Sequence, residues 1–155
     1  MAKHRQSIGI ILQNPHLLND HTIYDNVALP LYIQGTSSHE IKKRVAAALG
    51  KVGLRDAAHH YPEALSAGEQ QRIGIARAII NKPQLILADE PTGNLDPNLS
   101  KEIFSLFEAF QNVGVTVLVA THDLSLVAML PHRVLTLKSG HLIDAPAPHP
   151  TTESL

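Results

Sequence analysis

The sequence predicts an α/β fold built on a parallel sheet, entered by one strand, interrupted by a mostly helical insert between about residues 14 and 80, and resumed afterwards. Three observations predict it. QLILA at residues 84–88, apolar after Gln84, and VTVLVA at residues 115–120, apolar but for Thr116, show the pattern of parallel strands covered on both faces. An amphipathic helical pattern lies between them, which makes a βαβ unit. A third apolar run, SIGIIL at residues 7–12, precedes a long stretch of helical periodicity.

The elements follow in chain order. SIGIIL stops at the polar trio Gln13, Asn14 and Pro15. Residues 23–33 read as a short helix broken or kinked at Pro30, and residues 35–38 as a loop. Ser37 and Glu40 then stand at capping-box spacing. They open a helix that places Ile41, Val45, Ala48, Leu49 and Val52 on one face, with Gly53 as its stop. Ser66 and Glu69 repeat the capping-box spacing, and Ile73, Ala76 and Ile80 keep helical period until Pro83. After the strand at 84–88, Asp96 caps a helix with Pro97 in first position and Leu99, Ile103, Leu106, Phe107 and Phe110 as inner stripe. The strand at 115–120 ends on Thr121, His122 and Asp123 before a short helix. Residues 133–137 and 141–143 flank KSG as a hairpin, and the proline-rich residues 144–155 read as a disordered tail.

Composition narrows the function. Thirteen basic residues nearly balance fourteen acidic ones, so there is no electrostatic footprint for nucleic acid, and none is expected as a partner. The absence of cysteine excludes a disulfide framework and thiolate metal sites. Every apolar stretch is interrupted well short of the eighteen or so residues a membrane span requires. NLS at residues 98–100 matches a glycosylation acceptor, but with no secretory signal it reads as chance.

The chemistry concentrates where strands end. In open α/β sheets ligands bind beyond the carboxyl ends of the strands, and the three strand runs end at Gln13, at Asp89 with Glu90, and at His122. A strand read as buried that closes on two acids calls for a compensating cation, such as Mg²⁺ held by one carboxylate together with substrate phosphates. Asp89 would hold the metal's water shell, and Glu90, turned differently as the strand ends, would polarise an attacking water. Taken alone an apolar run ending in two acids is weak, since many strands end in solvated carboxylates. Likewise Ser66 and Glu69 cap a helix whatever else they do, and a lone histidine after a strand is usually a surface residue.

The wider context is more specific. LSAGEQQRIGIARAIINKPQLILADEPTGNLD, residues 65–96, resembles the run from signature through Walker B to D-loop of ATP-binding cassette (ABC) ATPases, with a Q-loop glutamine upstream and ATHD downstream in the expected places. The likeness extends over residues 5–143. It implies a P-loop NTPase-like (RecA-like) core with an inserted α-helical subdomain: residues 1–13 as Q-loop strand, 14–80 as helical subdomain and signature helix, and 81–143 as Walker B to H-loop core. The cofactors it implies are ATP and Mg²⁺. Gln13 resembles the glutamine that touches Mg²⁺ and γ-phosphate and links them to the insert facing a transmembrane partner. Ser66, Ala67, Gly68 and Glu69 lie where the signature meets the ATP of the opposite subunit. A helix N-terminus suits that anion. Ala67 departs from the usual glycine. Asp89 matches the Walker B acid that serves the metal, Glu90 the catalytic glutamate, Asn94 to Asp96 the D-loop, and His122 the switch histidine.

Within the family, HLLNDHTIYDNVALPL, LADEPTGNLD and FEAFQNVGVTVLVATHD are most similar to the cell-division ATPases, which work with an integral membrane protein at the cytoplasmic face of the bacterial inner membrane. Lipoprotein-release and macrolide-export ATPases share much of this wording. No GxxxxGK[ST] occurs in the 155 residues. The chain therefore reads as an N-terminally truncated cassette: a shortened gene product, a fragment, or half of a split protein. Alone it is expected to hold ATP poorly and hydrolyse it negligibly, needing a homodimer or the missing N-terminal part, or else to survive as a non-catalytic docking remnant.

Overall fold

The computed structural model describes residues 7–93, 95–129 and 131–143. They form two units, residues 7–121 and residues from 122 onward, each taken by itself below. In the first, β1 (Ile8–Ile11), β2 (Leu85–Asp89) and β3 (Thr116–Ala120) make a parallel sheet in the order β1-β2-β3. The register is Ile8 to Leu85 and Ile11 to Ala88 on one side of β2, and Leu85 to Thr116 and Asp89 to Ala120 on the other. All three carboxyl ends therefore lie side by side. The βαβ unit and the helical insert between β1 and β2 are as the sequence predicts.

The insert holds α1 (Ile23–Ile33), α2 (Ser38–Lys51) and α3 (Ala67–Ile79), with 3₁₀ turns at Arg55–Ala57 and Pro62–Ala64. Their inner faces meet in a core in which Ile23, Val27, Leu31, Val45, Leu49, Ile73 and Ile75 are at most 1% exposed. Burying each is worth about 1.5–3 kcal/mol. The whole predicted face of α2 is buried, and Gly53, at φ +72°, provides the left-handed stop. Its cap is half made: Ser37 Oγ accepts from the Glu40 amide, but the Glu40 carboxylate turns to Arg44 at 2.7 Å.

Three readings need correction. Pro30 does not break α1, which runs on to Ile33. The proline costs a single backbone bond, and the buried Val27, Ala28 and Leu31 on either side hold the turn together. Second, the sheet is not covered on both faces. Gly9, Ile11, Ile86 and Ala88 share the face under α3, where a Cβ on Gly9 would fall 2.8 Å from the Ala78 carbonyl oxygen. The other face leaves Ile10 62% and Leu118 51% exposed. A continuous apolar run reports the environment a strand suits, and among the described residues of this unit helices pack on one side only.

Third, the buried stripe of α4 (Pro97–Gln111) is Ser100, Ile103, Phe104, Phe107 and Phe110. Leu99 and Leu106 are only half-buried. Leu99 is drawn instead against Gly68 at the start of α3, where a Cβ would lie 2.8 Å from Leu99 Cδ1. Phe104 rather than Leu106 faces inward, and it meets Phe107 edge-on at 5.6 Å.

The second unit contains α5 (Leu124–Met129) and a hairpin of β4 (Thr136–Lys138) and β5 (His141–Ile143), paired antiparallel. Its turn residues Ser139 and Gly140 sit at φ +50° and +79°, the left-handed pair a two-residue hairpin turn demands. The predicted tail, residues 144–155, lies outside the described residues, as does Asn94. Among the described residues no helix is long and apolar enough to cross a membrane.

Candidate functional site

The carboxyl end of β2 is built by a tight left-handed turn. Glu90 sits at φ +44°, a conformation that turns its side chain away from the alternation of the strand. Its amide still donates to the Ala120 carbonyl at 2.9 Å, and its carbonyl accepts from Gly93 at 3.1 Å, closing the turn. The Glu90 carboxylate accepts a hydrogen bond from Thr121 Oγ at 3.1 Å. Glu90 is half-buried and Asp89 exposed. This corrects the electrostatic argument for a cation: Asp89 carries no burial penalty, because the central strand ends at solvent. What distinguishes the pair is that neighbouring acids have opposite fates, one solvated and one held against β3.

Gln13 comes to the same place from β1. A Cβ on Gly93 would lie 2.7 Å from Gln13 Nε2, so the Gln13 side chain lies across the turn that follows Glu90. A cleft of about 170 Å³ is lined by Gln13, Ala67, Pro91 and Leu95 among others. It joins the segments predicted as Q-loop, signature and D-loop, and is smaller than the roughly 300–1,000 Å³ typical of a site for a whole small molecule. A larger cleft, about 350 Å³, opens at the amino ends of β2 and β3 beside Lys51, Lys82 and Phe110, away from the paired acids.

The start of α3 is a complete capping box. Ser66 Oγ accepts from the Glu69 amide at 3.3 Å, while the Glu69 carboxylate accepts from the Ser66 amide at 2.9 Å and its hydroxyl at 2.7 Å. These bonds, the hydroxyl first and the amide second, hold the Glu69 carboxyl below the usual glutamate range. The box uses the amides of Ser66 and Glu69, and leaves those of Ala67 and Gly68 outside it. Ala67 is exposed, whereas Gly68 is buried beneath Leu99. Asp96 caps α4, accepting from the amides of Asn98 at 2.9 Å and Leu99 at 3.2 Å.

Of the residues singled out from sequence, the structure thus brings Gln13, Ala67 and the turn after Glu90 around one cleft. Asp89 and Glu90 close the strand beside it. Ser66, Glu69 and Asp96 are engaged in helix caps. His122 opens the second unit. Sequence reasoning missed Thr121 as the partner of Glu90, although its hydroxyl one residue before the singled-out histidine was a signal. It also missed Gly93, whose lack of a side chain admits Gln13.

Oxygen donors suit a hard cation. Among the described residues no three of His, Cys, Asp or Glu gather to hold a metal. Such oxygen donors suit Mg²⁺, which takes one or two protein oxygens together with water and phosphate.

The family pattern described as "ABC transporter" matches residues 1–93. The chain is 60% identical over 138 residues to the cell division ATP-binding protein FtsE of Escherichia coli K12, covering 89% of this chain and 62% of that protein. To FtsE of Haemophilus influenzae it is 53% identical over 138 residues, 89% of this chain and 63% of that one. Among solved structures it is similar to cbiO1 from Clostridium perfringens, part of the ABC transporter complex cbiONQ. The TM-score is 0.83 at 32% identity, over 93% of this chain and 58% of that one. It is also similar to the dimeric structure of MJ0796, a bacterial ABC transporter cassette, with TM-score 0.78 at 37% identity over 93% and 64%. The chain spans a little over three-fifths of the length of these curated relatives, 62% and 63%.

Proposed function

Because the chain belongs to the ABC transporter family, we propose that it is the Q-loop, signature and acid-bearing portion of an FtsE-type ATPase. At the full length of its relatives, the cassette pairs head to tail around two ATP molecules and hydrolyses them. It thereby drives an integral membrane partner of the FtsX kind from the cytoplasmic face of the bacterial inner membrane. The 60% identity to FtsE favours this over a lipoprotein-release or macrolide-export ATPase. The segments divide as residues 1–13 for the Q-loop strand, 14–80 for the helical subdomain, 81–143 for the Walker B to H-loop core, and 144–155 for a tail.

One observation carries the reading: the central strand ends on a solvated acid and a hydrogen-bonded acid, with a glutamine amide lying across the turn between them and the next helix. Glu90 is the catalytic residue, taking the proton of the water that attacks the γ-phosphorus as the bond to the ADP oxygen breaks. The left-handed backbone and the Thr121 bond fix its carboxylate in advance, which is the preorganisation such a base needs. Asp89 and Gln13 are the residues that would hold Mg²⁺, which when bound neutralises charge on the phosphates. His122 senses the γ-phosphate. Ser66, Ala67, Gly68 and Glu69, with Asp96 across the interface, meet the nucleotide of the partner cassette, and the dimeric form of MJ0796 supports such an arrangement.

The test is Mg²⁺-dependent turnover by the cassette at the full length of its relatives. Glu90→Gln should lower kcat by about 10²–10⁴-fold, the range of a lost general base, while ATP still binds. Turnover unchanged by that substitution would refute the assignment.

A further inference from the structure

The segment that carries Gln13 away from β1 lies along one side of α3. Gln71, itself only 3% exposed, donates from Nε2 to the Leu12 carbonyl at 3.0 Å. The Arg77 guanidinium donates to the carbonyls of Pro15 and, at 3.3 Å, His16. Between them Gly74 is buried, and a Cβ there would fall 2.8 Å from Pro15 Cβ. Positions 71, 74 and 77 are spaced by three, so they wind as one stripe. Six helical residues rise about 9 Å, close to the ~10 Å that three residues of extended chain span from 12 to 15. The two segments thus run in step.

Those three carbonyls fall where the chain has left the sheet, on exposed or half-buried residues, and they find partners on α3 rather than in a ladder. A glutamine amide and a guanidinium provide them, and the missing side chain at 74 lets the proline come close enough. His16, at φ +45°, is held in the left-handed region at the end of this contact. Burial pushes the Arg77 pKa down, yet a guanidinium stays charged, so its bonds to the two carbonyls are charge-assisted.

We propose that Gln71, Gly74 and Arg77 form a seat on α3 that sets where Gln13 lies. Arg77 is a positioning residue, acting through the backbone of residues 15 and 16. The same helix begins at Ser66, so a movement of its capped end is passed to Gln13 by the seat. The functional weight of this rests on the reading of Gln13 as a nucleotide contact, but the seat does not.

The test uses the 155-residue chain without nucleotide, so its outcome is independent of whether Gln13 meets a phosphate. Backbone ¹⁵N order parameters at residues 13, 14 and 16, and the Gln13 side-chain amide resonance, are compared in wild type, Arg77→Met and Arg77→Lys. Order parameters near 0.85 mark rigid backbone and values below 0.6 flexible backbone. Arg77→Met should move residues 14 and 16 from the first range to the second and displace the Gln13 amide resonance, while Ile86 and Leu87 in β2 stay rigid. Arg77→Lys, which keeps the charge but loses the fork, should restore part of the order. Gly74→Ala, whose methyl would fall 2.8 Å from Pro15 Cβ, should also displace the Gln13 resonance. The proposal is overturned if residues 14 and 16 stay rigid and the resonance unmoved in Arg77→Met. It is equally overturned if Arg77→Lys is as loose as Arg77→Met, or if β2 loosens in proportion.

Discussion

Asn26 is the polar residue on which the entrance to the helical insert depends, and its replacement by leucine should be expensive. It is fully buried on α1. Its Oδ1 accepts from the Leu18 amide at 2.7 Å, and its Nδ2 donates to the carbonyls of Leu18 at 3.0 Å, Thr22 at 2.9 Å and His21 at 3.3 Å. Two hydrogens serve three acceptors, so the bond to His21 is the weak one. Leucine keeps the branching and loses all four. The Leu18 carbonyl retains the His21 amide and the Thr22 carbonyl retains the Asn26 amide, so the groups left without a replacement are the Leu18 amide and the weakly held carbonyl of exposed His21. An orphaned donor costs about 1–3 kcal/mol and each ordinary bond lost about 1 kcal/mol. Leu18 is 38% exposed, so water can reach part of the site and the lower end applies to the amide. The sum is about 3 kcal/mol, or roughly 6–12 °C in Tm for a chain of this size. Urea unfolding followed by circular dichroism measures it. A loss under about 1 kcal/mol would mean that solvent already serves this loop, and the reasoning would fail.

Three further outcomes are expected. In the cassette at the length of its relatives, Thr121→Val should lower kcat by less than Glu90→Gln does and leave KM for ATP unchanged, because it removes one hydrogen bond to the Glu90 carboxylate but not the carboxylate; a change in KM alone would contradict this. The Glu69 carboxyl is held below its usual value of 4.5, so the capping box adds stability that is fully present above that value and is lost as pH falls through the lowered one. Glu69→Gln should flatten the acid limb of stability against pH, and an unaltered limb would show that other carboxylates dominate. Gly9→Ala should destabilise by about 1–3 kcal/mol, since its methyl meets the Ala78 carbonyl oxygen at 2.8 Å and Pro83 Cγ at 3.1 Å with little freedom to yield; a neutral result in thermal unfolding would show that β1 can shift.

How much of this could be read from sequence depends on the range of each signal. Local signals served well. The Ser66 box, the Asp96 cap with Pro97, the Gly53 stop and the face of α2 each rest on residues within a turn or two of one another. Signals that depend on a partner elsewhere did not. Whether both faces of QLILA are covered depends on where helices land, and that Leu99 lies against Gly68 rather than in the inner stripe of α4 depends on a residue about thirty positions away. The seat at 71, 74 and 77 joins residues about sixty positions apart, and nothing in QQRIGIAR announces which backbone its side chains will grip. The site was legible as a set of strand ends because a parallel sheet aligns them. That Glu90 turns away from Asp89 was legible, but the exposure of Asp89 and the Thr121 bond that holds Glu90 were not, since they depend on what surrounds the strand end.

The most direct measurement is a structure of the Glu90→Gln cassette, at the length of its relatives, with ATP and Mg²⁺. The account predicts the γ-phosphate of one ATP beside the ends of β1 and β2, with Gln13, Asp89 and residue 90 around it and the Ser66 end of the partner's α3 on its far side. A nucleotide seated elsewhere, for instance in the cleft beside Lys51 and Lys82, would contradict it.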